Sequence, residues 1–316
     1  MPVGLILTLV AGAASAGFYL GLLTGTFWAL PLVYLAQLPL FAIGLTLGAA
    51  PAAIAASTGV LMVMAVGGVL LGLAYAVVTA APAAFLVRQA LLNRSRPNGG
   101  VEWYPPGQLL GWLCGLATGA FALAYALMLG SEGGLEGYFR DFVAKFLRTV
   151  RDAVESDASS LAAEVSLPAA ETIAKFLPGA FAATWLGVTF ANGALGQLLA
   201  RISGRALRPS PEMADIELPT WVPGLAAIAA VGAMLPGDAG FVGVTVATIL
   251  GLAFVFAGLA VVHARSRTWP QRRWWLGTIY LLSLTQGWPF LLVALLGVVE
   301  PWTNLRGRPA ATPPGT

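Results

Sequence analysis

The chain has one histidine, His263, and one cysteine, Cys114, which narrows its chemistry at once. One of each cannot build a tetrahedral metal site without a set of carboxylates, and no H-E-x-x-H run supplies one. A Walker A lysine loop is missing, so ATP hydrolysis by that route is excluded. No G-x-S-x-G elbow occurs, and the lone His263 falls at a span end, which argues against a Ser–His hydrolase. Acid–base work would need two acids in a cavity. The candidates Asp238 and Glu300 flank span ends, and the turn Pro236-Gly237-Asp238 accounts for the aspartate. The chemistry therefore points to no enzyme, no cofactor and no metal, and a single cysteine excludes an intramolecular disulfide.

What remains is uncharged polarity inside apolar stretches. Gln37, Ser57, Thr58, Thr189, Asn192, Gln197 and Gln286 all fall there. Amides and hydroxyls in lipid need partners, so they either glue helices together or line a polar cavity. A candidate cavity would draw on Gln37, Ser57, Thr58, Asn192 and Gln286. Helix interruptions at Pro31/Pro39 and at Gln286-Gly287-Trp288-Pro289 are of the kind that membrane carriers use for sites. No charge pair is expected inside the spans, which counts against a proton- or ion-coupled carrier.

The elements that must position these residues are membrane helices. Hydrophobic residues make up 58% of the 316 positions and charged residues only 10%, against roughly a quarter charged in an average soluble domain. No Asp, Glu, Lys or Arg precedes Arg88. A charge at a helix centre costs about 2.5–3.5 kcal/mol on insertion scales, and a span needs about 20 apolar residues. The first 87 residues thus hold about four spans. The 31 charges lie in islands, and the stretches between them give spans near 4–23, 27–48, 50–69, 71–92, 108–130, 178–200, 219–236, 240–263 and 275–299. The expected architecture is all-α: a single polytopic transmembrane bundle over 1–316 with about eight or nine spans. Residues 309–316 are read as a disordered tail. Ala14-Ser15-Ala16 resembles a cleavage site, but no positive n-region precedes it, so the first helix is expected to be retained.

Orientation follows from the basic islands Arg88–Arg96, Arg201–Arg208 and Arg265–Arg273, all expected on the cytoplasmic side of a bacterial inner membrane. The pI near 9.2 is explained by these bases at span ends, and no nucleic-acid surface is expected. The 131–177 segment, with eight acids against five bases, is expected outside. There Leu135, Phe139, Phe142, Phe146, Val150 and Val154 recur at three- and four-residue steps, predicting an amphipathic helix. A weaker second helix runs through Leu161, Val165, Ile173 and Phe176. At the C-terminal end, Arg306 and Arg308 argue for the inside while span parity argues for the outside. A re-entrant hairpin over 276–299, broken at Gly287 and Pro289, would reconcile the two.

Small residues at four-residue spacing mark helix-packing faces: Gly17, Gly21 and Gly25 near the end of the first span, and Gly111, Gly115 and Gly119 in the fifth. Such faces serve either packing within the bundle or docking of a second copy or partner subunit.

Several runs resemble the YybS-like family of bacterial multi-pass membrane proteins. They are Leu30-Pro31 through Leu38-Pro39-Leu40-Phe41, Gly44 with Gly48, Ala52 to Gly59, Pro82-Ala83 before Arg88, and Glu102-Trp103-Tyr104-Pro105-Pro106-Gly107. Asn192 with Leu198-Leu199-Ala200-Arg201, Leu218-Pro219 with Trp221, Gly258 through His263, and Glu300-Pro301-Trp302 extend it. The resemblance implies a domain of unknown function, loosely similar to the substrate-binding S components of energy-coupling-factor transporters. That would mean a binder of a small solute which borrows energy from partner subunits. The alternative is a non-transport scaffold or regulator of envelope processes, working through helix–helix contacts in the lipid bilayer.

Overall fold

The computed structural model describes residues 2–97, 99–154, 167–303 and 305–306. The expected tail at 309–316, and Leu161 and Val165 of the second amphipathic stretch, lie outside the described residues. Apart from one small hairpin the described elements are helical, and the chain divides into two compact units, residues 1–113 with 185–212 and residues 114–184 with 213–316.

In the first unit, α1 (Pro2–Leu20) is followed by a broken stretch rather than a clean helix. Two 3-10 turns, Gly21–Thr24 and Phe27–Ala29, flank Gly25, whose φ of 62° is left-handed. The five-residue α2 (Leu30–Tyr34) and α3 (Leu38–Leu47) each begin at a proline, Pro31 and Pro39, placed in the first turn where the missing N–H costs nothing. Then α4 (Ala49–Tyr75) runs through a five-residue π-turn, Ala76–Ala80, into α5 (Ala81–Ala90).

A straight 42-residue helix would be about 63 Å long, and this one is not straight. Gly68 has φ 85° and ψ 167°, outside helical geometry. Met64 Cα lies 3.1 Å from where a Cβ on Gly72 would stand, and the Tyr75 ring packs on Gly59. Along a continuous helix residues 59 and 75 would be about 24 Å apart. The chain therefore reverses at Gly67-Gly68, and its arms lie antiparallel.

After α5 comes a hairpin of β1 (Asn93–Ser95) and β2 (Val101–Trp103), pairing Asn93 with Trp103, Arg94 with Glu102 and Ser95 with Val101. The sequence reading has only a charged connector there. Next, α6 (Pro106–Met128) and α8 (Leu167–Ile202) are continuous helices that each contribute to both units. Between them α7 (Gly134–Val154) is the amphipathic helix that the periodicity predicts, with Leu135 and Val143 buried. Phe139 and Phe142 set their rings 6.3 and 6.5 Å from Phe181. Ile173 and Phe176 are not in a separate second helix. They belong to α8, which starts at Leu167 and carries Pro178 inside it.

The second unit is built on α10 (Gly237–Arg265). Its most apolar stretch is 72% buried, against 17–39% for the other candidate spans. The thirteen-residue α9 (Trp221–Ala233) packs antiparallel on it, where Gly243 meets the backbone of Ala229, Gly232 and Ala233. From the other end come α11 (Arg272–Gln286) and α12 (Pro289–Thr303), bent by 117° at Gly287-Trp288. Here α12 also runs antiparallel to α10: Gly258 touches the Val293 carbonyl and Gly297 the Phe254 carbonyl. Val255, Leu259 and Val293 form the core at that contact.

By length and composition, six described helices could cross a membrane, or seven if the bent α11–α12 pair counts as one. Eight or nine spans exceed that count for three physical reasons. The 50–69 and 71–92 stretches are joined into one helical run, 219–236 contains only thirteen helical residues, and 275–299 is broken in two.

Candidate functional site

The polar residues of the first unit gather where the backbone is irregular. Breaking a helix frees carbonyls that the i→i+4 ladder would otherwise use, and in lipid these must find donors. Asn192 Nδ2 donates to Tyr34 O at 2.8 Å and to Val188 O at 2.8 Å. Ser15 Oγ donates to Ala36 O and lies 2.6 Å from the Tyr75 hydroxyl. Pro82, four residues on, has no N–H for Val78 O, which instead accepts from Gln37 Nε2 at 3.2 Å and from Trp185 Nε1 at 2.8 Å. Four helical segments are thus stitched through three carbonyls on two interrupted elements. Gln37 Oε1, Asn192 Oδ1 and Thr189 Oγ1 are buried without a partner in the same unit.

The other residues of the candidate cavity are placed differently. Ser57 is exposed, and Thr58 spends its hydroxyl on Ile54 O of its own helix at 2.9 Å. Gln286 is an exposed residue of the second unit, at the α11–α12 break. Of the five, only Gln37 and Asn192 reach the stitched region. Ser15, Tyr75 and Trp185 complete it, and no spacing in the sequence marks them as partners because each contact spans a long loop of chain.

One end of this unit is held by a buried arginine. Arg208 Nη1 donates to Ala90 O at 2.8 Å, the free carbonyl end of α5, and Nη2 reaches Tyr104 O at 3.4 Å. Its guanidinium carbon sits 5.9 Å from the Trp103 ring centre. Gln197 Nε2 fixes the same loop through Arg208 O at 3.0 Å and Ser210 Oγ at 3.2 Å. Burial pulls the Arg208 pKa below its ordinary value, although a guanidinium stays charged. On the hairpin, Arg94 donates to Glu102 at 2.7 Å and Arg96 adds a second ion pair at 3.3 Å. These hydrogen bonds, Arg94's first, hold the Glu102 carboxyl at about 2.

The helix-packing glycines behave unevenly. Nothing lies within 4 Å of a Cβ on Gly17, Gly25, Gly115 or Gly119, and Gly21 meets only Ala29. Close backbone approach falls instead on Gly12, Gly44, Gly59 and Gly196 in the first unit, and on Gly179, Gly243, Gly258 and Gly297 in the second. A groove of about 570 Å³ also runs along α1, α3 and α8 in the first unit.

In the second unit Glu300 and Arg306 form a buried ion pair, 2.7 Å apart, with side chains 9% and 5% exposed. Both residues lie beyond the expected 275–299 span, so the expectation of no charge pair inside the spans does not concern them. Arg306 Nη1 also donates to Ala214 O at 3.1 Å and Ile216 O at 2.8 Å, tying the end of α12 to the segment before α9. Glu300 Oε2 is buried without a partner. His263 Nδ1 bonds its own helix at Leu259 O, 2.9 Å away. Among the described residues no three or more of His, Cys, Asp and Glu cluster as a metal site.

Several long apolar helices, polar groups consumed by backbone carbonyls and charges at helix ends define a polytopic α-helical membrane protein. Within that class, the chain belongs to the family described as "Predicted membrane protein (DUF2232)", whose model matches residues 5–300. No curated protein and no solved structure matches the chain.

Proposed function

We propose that this protein is a non-transport scaffold or regulator in the bacterial inner membrane, working through helix–helix contacts with a partner subunit or a second copy. The observation that carries this reading is where the polar groups go. Asn192, Gln37, Ser15 and Trp185 give their donors to carbonyls freed by broken helices, leaving few donors to recognise a polar solute. Meanwhile Gly17 on α1 and Gly115 with Gly119 on α6 face open space, the arrangement expected of faces that meet another helix; Gly25 lies beyond α1 in the left-handed break. The reversal at Gly68 supports counting Ala49–Ala90 as two crossings, which brings the total to seven or eight. The bend of α11 on α12 and the Arg306 tether to Ala214 and Ile216 support a re-entrant pair at the C-terminal end.

The second reading, a solute-binding component similar to energy-coupling S components of the YybS-like kind, draws on the partnerless oxygens of Gln37, Asn192 and Thr189. Purification of the full chain in mild detergent, followed by native mass spectrometry, separates the two. A scaffold is expected to bring down a second copy or an envelope protein, with cysteines at Gly17 or Gly115 cross-linking to it. Recovery of an ATPase with its transmembrane subunit, or a stoichiometric small solute, would overturn the proposal in favour of transport.

A further inference from the structure

The open groove of the first unit has two unlike ends. On α3 its wall is Pro39, Ala42, Ile43 and Thr46, steps of three, one and three that place them on one helix face. Ala11 of α1 and Ala200 of α8 supply small apolar neighbours. Toward the end of α8 the lining turns polar, with Ser203 and Arg205. Neither hydroxyl there is free to recognise a ligand: Thr46 Oγ1 bonds Ala42 O at 2.8 Å and Ser203 Oγ bonds Ala200 O at 2.9 Å. Arg205 is the remaining donor. Its guanidinium is exposed, and no described carboxylate pairs with it.

The position of Arg205 is not accidental to a loose loop. Gly204, at φ 67°, ends α8 in the left-handed conformation. Gly204 N bonds Arg201 O and Arg205 N bonds Ala200 O, each at 3.0 Å. This pair of bonds is the Schellman stop, which fixes the residue after the glycine against the last helical turn. It sets Arg205 beside the very residue, Ala200, that lines the groove. The seven-residue rise from Pro39 to Thr46 gives the apolar section about 10 Å of length.

We propose that this groove seats one anionic phospholipid from the surrounding bilayer, its acyl chain against α1, α3 and α8 and its phosphate on Arg205. The apolar wall has no free donor to hold water, whereas hydrocarbon fills it at no cost in hydrogen bonds. The unpaired arginine lies in the basic Arg201–Arg208 island, where a cytoplasmic headgroup would stand. The proposal needs only that the chain is membrane-embedded, so it stands apart from the choice between scaffold and carrier.

The test uses the full chain in mild detergent, titrated with phosphatidylglycerol, phosphatidylcholine or inorganic phosphate and read by native mass spectrometry. One phosphatidylglycerol per chain should survive activation that strips phosphatidylcholine. Arg205→Ala should weaken retention about fivefold, the loss expected for one basic residue at an anionic surface. Ala42→Trp should abolish retention by filling the groove. If Ala42→Trp does not fold, judged by its melting temperature, Ala200→Leu is the smaller plug. Arg94→Ala, on the hairpin, should change nothing. Equal retention of phosphatidylcholine, an unchanged Arg205→Ala, or a loss in Arg94→Ala as large as in Arg205→Ala would each overturn the proposal. Competition by inorganic phosphate without lipid selectivity would overturn it as well, since the acyl seat would then be idle.

Discussion

Both units pack helices closely at glycines, Gly12 and Gly44 in the first and Gly243 and Gly258 in the second, but the first adds side-chain bonds to freed carbonyls. In the first, interrupted helices expose carbonyls at Tyr34, Ala36 and Val78, and side chains from other segments bond them. In the second, α10 is regular, and its neighbours press backbone to backbone at Gly243, Gly258 and Gly297, with one buried ion pair closing the end. Hydrogen-bond stitching tolerates loss of a single bond, because the membrane-embedded alternative state also finds partners. Close packing does not tolerate added volume, because helices in contact cannot move apart locally without losing every neighbouring contact. A buried charge tolerates loss of its partner least of all.

That ranking can be broken by measurement. The largest effect is expected for Arg306→Ala, which strands the Glu300 carboxylate and removes the donor to Ala214 and Ile216. A loss of about 3–5 kcal/mol in detergent unfolding is expected, while Glu300→Leu with Arg306→Met should recover most of it. Gly258→Ala comes next. Its methyl would collide with the Val293 carbonyl, costing about 1–3 kcal/mol, whereas Gly115→Ala faces open space and should be neutral or favourable by up to about 1 kcal/mol. Equal effects at the two glycines would show that α12 does not press on α10 as described.

Asn192→Ala removes two donors from the stitched region, and a loss of about 0.6–2 kcal/mol is expected by the same unfolding assay. A loss as large as that of Arg306→Ala would erase the distinction between the units. The smallest effect concerns the hairpin. Glu102 is held at about 2, below its ordinary 4.5, by Arg94 and Arg96. A depressed carboxyl contributes stability above its unfolded value and loses it as pH falls toward the folded one. Spin labels across β1 and β2 should therefore keep one distance down to about pH 4.5 and broaden between there and pH 2. The ion pairs are exposed, so helix content should not change over that range.

Much of this was legible because lipid penalises charge and unpaired backbone so heavily. The uncharged run before Arg88 marks the membrane, the apolar steps from Leu135 to Phe146 mark α7, and Pro31, Pro39 and Gly287 mark the breaks. Polar residues in spans, Gln37 and Asn192, were legible as needing partners, but not which partners. Tyr34 O and Val78 O carry no side-chain signature, since any residue has a carbonyl. Ser57, Thr58 and Gln286 have the same composition signal, yet the fold leaves Ser57 and Gln286 exposed and Thr58 bonded to its own helix. The hairpin escaped because three-residue strands leave too few positions for an alternation to register. Glycine spacing was legible as a pattern, and the tightly packed Gly44 carries it with Gly48, but the tight contacts at Gly59, Gly243 and Gly258 have no glycine four residues away.

The reversal at Gly67-Gly68 bears on how the chain is made. Residues 1–87 hold no Asp, Glu, Lys or Arg, so no charged side chain within that stretch marks one side of the membrane for the insertion machinery. Paired by that two-glycine turn, the Ala49–Ala90 arms can enter as a loop without committing to an orientation. The basic side chains that follow the two arms are Arg88, Arg94 and Arg96, of the kind that biases orientation. A lysine placed at Gly67, at the turn, should bias orientation earlier, and reporter fusions after α5 should then divide between the two sides of the membrane.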